Sequence, residues 1–249
     1  MSDVLTMTAR SFRLTRRQLD SLLTALALPV LIMLLFVGLF GGAIHTGTGT
    51  NYVTYVLPGV LLLCAGYGAA ITAVSVLQDM TGGIIDRFRS MDVRGPAIMT
   101  GHIAASIARN LASTILVFGV ACLIGFRPHA SMPGWVAAAG LLLAFILAVS
   151  WLAAAYGLAV KTAEAAGGFM FIVAFLPYAS SAFVPVATMP GWIQGFARNQ
   201  PITPVAQSLR GLLLGTPVGR APWVALAWLG GIVAVSLVLS GVLFSRRTA

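Results

Sequence analysis

Six long apolar stretches divide the sequence, at residues 22–44, 52–77, 103–125, 135–160, 167–186 and 223–244. At about 1.5 Å of rise per residue, a helix of roughly 20 residues crosses the hydrocarbon core of a bilayer. The pattern therefore predicts six transmembrane helices. The first run, with Pro29 placed to kink it, is too long for the apolar core of a cleaved signal and is followed by others like it, so it reads as an uncleaved span. The second holds Pro58 and the small residues Gly59, Ala65, Gly66, Gly68, Ala69 and Ala70, which suit close helix contact. Arg109 stands near the start of the third run and is expected to snorkel to the interface. Pro177 interrupts the fifth, which should face protein or a cavity because a freed carbonyl needs a partner.

Three stretches depart from this pattern. In residues 1–21, Val4, Leu5, Met7, Phe12, Leu14 and Leu19 share one half of a helical wheel, and Arg10, Arg13, Arg16 and Arg17 lie on the other. This reads either as a helix lying on an anionic leaflet or as a basic flank that orients the first span. Residues 79–96 hold three of the six acidic residues and three of the arginines. Beyond Gly82 and Gly83, the positions Ile84, Phe88 and Met91 recur at helical spacing with Ile85 beside them, while Asp86, Arg87, Arg89 and Ser90 point elsewhere. A short two-faced helix between spans 2 and 3 follows, suited to meeting a partner in the aqueous phase. Residues 187–222 read as two half-length helices split by Asn199-Gln200-Pro201, a re-entrant or interfacial hairpin between spans 5 and 6.

Composition agrees with the pattern. The chain is 59% hydrophobic and 8% charged with a mean hydropathy of +0.96, far from the roughly 25% charge of soluble domains. The net charge of +9 does not indicate nucleic-acid binding, because the basic residues cluster at the ends of apolar runs. Counting them fixes the orientation. With the N-terminus inside, eleven Lys and Arg face the cytoplasm against four outside, namely Arg127, Arg198, Arg210 and Arg220. Both termini and the island at 79–96 are then cytoplasmic, and the hairpin is external. Cys64 and Cys122 lie inside apolar runs and read as buried thiols rather than a disulfide.

Chemistry of its own is not evident. The sequence has no GxxxxGK[ST] phosphate loop. His45, His102 and His129 fall in three separate loops without metal-ligand spacing. Ser180-Ser181 lacks the context of a nucleophile elbow, and few charges lie within the apolar runs to form a proton relay. A non-catalytic membrane subunit without a cofactor is expected, its energy supplied by another protein.

The run Gly82-Gly83-Ile84-Ile85-Asp86-Arg87-Phe88-Arg89-Ser90, with Gly101 downstream, resembles the first cytoplasmic loop of ABC-2 type transporter permeases, in particular the daunorubicin-resistance branch. The stretch containing Ser181, Phe183-Val184-Pro185, Met189-Pro190, Trp192, Phe196-Ala197, Asn199-Gln200-Pro201, Arg210-Gly211 and Gly215 resembles the family's second signature. The likeness covers essentially the whole chain, and it departs at residues 91–96, where the family's proline-containing turn is not matched. It implies one ABC-2 transmembrane domain over 1–249, in a bacterial plasma membrane. It also implies a coupling helix formed by Asp79, Gly82, Gly83, Ile84, Ile85, Asp86, Arg87, Phe88, Arg89 and Met91, seated in a dimeric ABC ATPase that binds ATP and Mg. A second permease, identical or homologous, would complete the exporter. The hairpin residues Pro185, Met189, Pro190, Trp192, Phe196, Pro201 and Arg210 would form an external gate or seal the bundle. A membrane scaffold or immunity protein that binds a cytoplasmic partner without moving cargo is the alternative, and a membrane-embedded enzyme a more distant one.

Overall fold

The computed structural model describes residues 19–41, 51–82 and 95–248. Among them the chain is all helix and turn. The elements are α1 (Leu19–Phe40), α2 (Tyr52–Thr81), α3 (Gly95–Leu123), α4 (Met132–Ala159), α5 (Ala163–Gly167), α6 (Phe169–Tyr178), a 3-10 turn (Val186–Thr188), α7 (Gly191–Asn199), α8 (Ile202–Leu214) and α9 (Ala221–Thr248). Among the described residues, four stretches are long and apolar enough to cross a membrane: Tyr52–Thr81, Ile98–Leu123, Met132–Ala159 and Ala221–Arg246. Two further apolar helices, Ala27–Leu39 and Ala163–Tyr178, are shorter.

Local chemistry sets several of the ends. Ser131 caps α4, its Oγ accepting from the Gly134 N–H at 3.3 Å, with Pro133 in the first turn where no N–H is needed. Thr162 caps α5 by accepting from the Ala165 N–H at 3.2 Å.

Helix α2 is the centre of the bundle. It packs against α1, α3, α4, α5, α6 and α8, and 83% of its most apolar window is buried, against 17% for α9 at the periphery. Small residues permit this crowding. A Cβ on Gly157 of α4 would run into the Ala73 carbonyl of α2, so these two backbones meet at a position only glycine allows.

Contacts fix the direction of each helix. Tyr52 and Tyr55 at the start of α2 donate to the carbonyls of Phe183 and Ser181 at 3.2 and 3.1 Å. Phe36, late in α1, lies with its ring centroid 4.9 Å from that of Phe183. The His129 N–H, between α3 and α4, donates to the Leu213 carbonyl of α8 at 3.0 Å. These form the hairpin end of the bundle. At the opposite end, Val76, Ile98, Met99, Ile103, Ala154 and Leu158 make a separate apolar cluster, with Leu243 and Phe244 of α9 against it. The beginning of α1 and the end of α9 are thus at the same end as residues 82 and 95, which flank the loop between α2 and α3.

Three expectations change. The third apolar run extends back to Gly95, which places His102 inside α3 rather than in a loop and makes Arg109 the central residue of that helix. The fifth run, expected as one span over 167–186, is broken at Gly168 and leaves the helix at Ala179. Pro177 lies one residue before the end of α6, and Ser180 then competes for the backbone, donating to the Pro177 carbonyl at 2.6 Å and accepting from the Ala182 N–H at 3.0 Å. The hairpin therefore starts at Ala179, earlier than the expected residue 187. The interfacial helix expected over 1–21 lies outside the described residues, apart from 19–21, which belong to α1.

Candidate functional site

Two polar assemblies stand out in the apolar bundle, one on each side of its middle. The first begins at the loop end. Of the residues expected to contact a partner ATPase, Gly83, Ile84, Ile85, Asp86, Arg87, Phe88, Arg89 and Met91 lie outside the described residues. Gly82 is exposed and closes α2, its N–H donating to the Gln78 carbonyl at 2.8 Å. Asp79 is turned inward and buried, and its Oδ2 lies 3.1 Å from Nε2 of His102, itself buried. Asp79 thus holds the base of the loop against α3 instead of offering its carboxylate at the loop's surface.

Thr72 precedes Asp79 by seven residues on α2, and Arg109 follows His102 by seven on α3. Seven residues are two helical turns, about 10 Å along the axis, so in this antiparallel pair the two polar contacts form rungs on one face. Arg109 donates through Nη2 to the Thr72 hydroxyl at 2.9 Å and the Gly68 carbonyl at 3.1 Å. Only 8% of Arg109 is exposed, which replaces the expected snorkelling with an inward-bonded guanidinium at the helix midpoint. Its position along α3 explains the difference. With 14 residues of helix on either side, the side chain is too far from either interface to reach it, and α2 supplies acceptors nearer at hand.

The seam continues to α4. Asn110 Nδ2 donates to Ser106 Oγ at 3.3 Å, and Ser106 shares a 2.9 Å hydrogen bond with Ser150. Gly68 makes room for it, since a Cβ there would collide with the Asn110 amide. Arg109 Nε and Asn110 Oδ1 are buried without a hydrogen-bond partner among the described residues. A buried network that is incompletely satisfied costs stability compared with an apolar core, and in membranes such groups mark working parts more often than scaffolding.

The second assembly is at the hairpin end. Pro185 opens the 3-10 turn, Met189 closes it, and Pro190 starts α7. The Met189 carbonyl accepts from Gln194 Nε2 at 2.8 Å, which ties α7 back over the turn. Pro201 precedes α8, and the buried Gln200 beside it donates to the Leu176 and Ala179 carbonyls at 3.1 and 3.2 Å. It thereby satisfies acceptors left at the broken end of α6. Thr203 accepts from the Ser181 N–H at 3.2 Å and donates to the Ala197 carbonyl at 2.5 Å. Trp192 and Phe196 point outward, 83% and 49% exposed.

Arg210 points the other way. Its guanidinium lies 3.7 Å from the ring centroid of Tyr55 and donates to the carbonyls of Tyr55 at 2.9 Å, Ser181 at 3.0 Å and Ala182 at 3.4 Å. It therefore belongs to the underside of the hairpin, apart from Trp192 and Phe196. Tyr55, His102, Asn110, Gln200 and Thr203 carry these assemblies without having been singled out for such roles in the sequence. The seven-residue offsets between Thr72 and Asp79 and between His102 and Arg109 were the readable signal for the first.

Comparison with known proteins agrees with the architecture. Residues 2–214 match the ABC-2 type transporter family. The daunorubicin resistance ABC transporter permease protein DrrB1 of Streptomyces coeruleorubidus is 31% identical over 229 residues, covering 92% of this chain and 81% of that protein. The probable doxorubicin resistance ABC transporter permease protein DrrC of Mycobacterium tuberculosis is 25% identical over 235 residues, covering 93% and 84%. With its apolar helices and this match over most of its length, the chain is an integral membrane protein of the ABC-2 type transporter family.

Proposed function

We propose that this chain is the transmembrane permease subunit of an ATP-driven exporter that moves an amphipathic, drug-like or lipid-like substrate out of the cytoplasm or inner leaflet. α1, α2, α3, α4, the α5–α6 pair and α9 make six crossings, with both termini and the α2–α3 loop in the cytoplasm. A separate dimeric ATPase, which holds ATP and Mg, receives the loop, and a second permease completes the pathway. The named resistance permeases among the relatives support the cargo class.

The observation that carries the reading is the polar seam between α2 and α3. Ile84, Ile85, Phe88 and Met91 supply apolar contact with the ATPase, and Asp86, Arg87 and Arg89 orient the loop through charge-assisted bonds. Asp79, bonded to His102, anchors the loop's base. Two turns deeper, Arg109 bonded to Thr72 joins the same two helices again. A displacement of the loop is thus delivered to the middle of the membrane by a pair of helices that moves as a unit, because packed elements shift rather than deform.

The test is co-purification with the cognate ATPase, followed by ATP hydrolysis and drug efflux in inverted vesicles. Phe88→Ala and Arg87→Glu should leave insertion intact and reduce efflux at least tenfold. Normal efflux by either variant at normal expression would remove the loop from the coupling path.

A further inference from the structure

Helices α4 and α9 leave an apolar groove of about 590 Å³ between them, lined by Leu152, Ala227, Gly231 and Val235. Val224 and Trp228 line it too, and the same two side chains also line a second recess of about 420 Å³ at the hairpin end. Arg198 and Arg220 border that recess, with Asn199, Thr203 and Gln207. The two cavities therefore adjoin at Val224 and Trp228, one of mixed lining and bordered by two arginines, the other almost wholly apolar. Trp223, 74% exposed, is in the first turn of the same helix, and tryptophan at this place marks the headgroup layer of a bilayer.

Among the described residues no carboxylate answers the charge at the mouth. No Asp or Glu follows Glu164 in the sequence, so neither the hairpin nor α9 can supply a carboxylate to Arg198 or Arg220. Arg198 donates to the neutral Gln194 Oε1 at 3.2 Å, and both arginines are exposed. The first turn of α9 adds the positive end of its dipole. Among the described residues, a second copy of this chain set in the membrane in the same sense would bring no carboxylate to this level, because Asp20, Asp79 and Glu164 are at the other end of the bundle. The complement of a cationic mouth above an apolar trough is an anion joined to an acyl chain.

From this the geometry points to a binding site for an anionic phospholipid, its phosphate held between Arg198 and Arg220 and one acyl chain lying along Ala227, Gly231 and Val235. The site is on the α4–α9 face and does not depend on the transport reading. Asn199 and Gln207 provide further hydrogen bonds at headgroup level, and Gly231 keeps the trough open, since nothing lies within 4 Å of where its Cβ would be. Arginine forks suit phosphate oxygens in pairs.

Native mass spectrometry of the full chain in a neutral detergent tests this, with phosphatidylglycerol and phosphatidylcholine of identical acyl chains as ligands. The wild-type chain should bind phosphatidylglycerol roughly thirtyfold more tightly than phosphatidylcholine, as expected for about 1 kcal/mol from each of the two arginines at an anionic headgroup. The preference should vanish in Arg198→Gln/Arg220→Gln and return largely in Arg198→Lys/Arg220→Lys, which also shows that the site folds. Gly231→Leu should weaken binding of both lipids while keeping their ratio. Equal binding of the two lipids by wild type, or a preference that survives the glutamine pair, overturns the site. Full competition by glycerol 3-phosphate overturns the lipid assignment, because an anion alone would then suffice.

Discussion

Arg210 of α8 lies 3.7 Å above the ring of Tyr55 of α2 and donates to the Tyr55 carbonyl at 2.9 Å, so one side chain joins the hairpin to the central helix through both the face and the backbone of the same residue. Arg210 also reaches the Ser181 carbonyl, which the Tyr55 hydroxyl reaches too, at 3.1 Å. Three segments that are far apart in sequence meet there.

Replacing Arg210 by alanine removes its bonds to the Tyr55, Ser181 and Ala182 carbonyls and its contact with the Tyr55 ring in a largely apolar setting, while the Ser181 carbonyl keeps the Tyr55 hydroxyl, and the expected loss is about 3 kcal/mol of stability. Arg210→Lys should recover less than half, since an ammonium cannot serve the ring and three carbonyls in one fork. Tyr55→Phe keeps the ring and loses one hydroxyl bond, at a cost of about 1 kcal/mol. Thermal unfolding in detergent ranks the three variants, and a lysine variant as stable as wild type would contradict the geometry.

For the loop anchor, Asp79→Ala leaves the buried His102 with a lost acceptor and should destabilise by about 1 to 3 kcal/mol. The double variant with His102→Ala should cost clearly less than the sum of the two single changes, with a coupling of about 1 kcal/mol. Additive losses in the double-mutant cycle would mean that the two groups do not act as a pair.

At the seam's crowded point, Gly68→Ala drives a methyl group into the Asn110 amide and should cost about 1 to 3 kcal/mol. Shortening the obstacle with Asn110→Ala in the same chain should restore most of that loss. Failure of the second change to rescue the first would place the strain elsewhere.

Trp192, 83% exposed, should tolerate alanine within about 0.5 kcal/mol of wild-type stability. Efflux by this variant then separates two roles for the hairpin surface. A loss of transport at unchanged stability indicates a gate, and unchanged transport indicates a seal.

Sequence alone determined the class of this protein, since long uncharged runs have no stable place except in lipid, and it gave the approximate limits of most helices for the same reason. It also showed the two short helices on either side of Asn199-Gln200-Pro201, because proline and a polar break interrupt an apolar periodicity that is otherwise clear. The partners of the polar residues were decided only in three dimensions. From a span that starts at residue 103, Arg109 is near enough to the interface to snorkel, whereas eight further residues of helix put it at the midpoint. His102 and Asp79, 23 positions apart, and Arg210 and Tyr55, 155 apart, meet because helix crossing sets which faces touch, and hydropathy carries no record of that. In an almost uniformly apolar chain the few polar side chains choose among one another, and only the packed bundle brings the chosen pairs within reach.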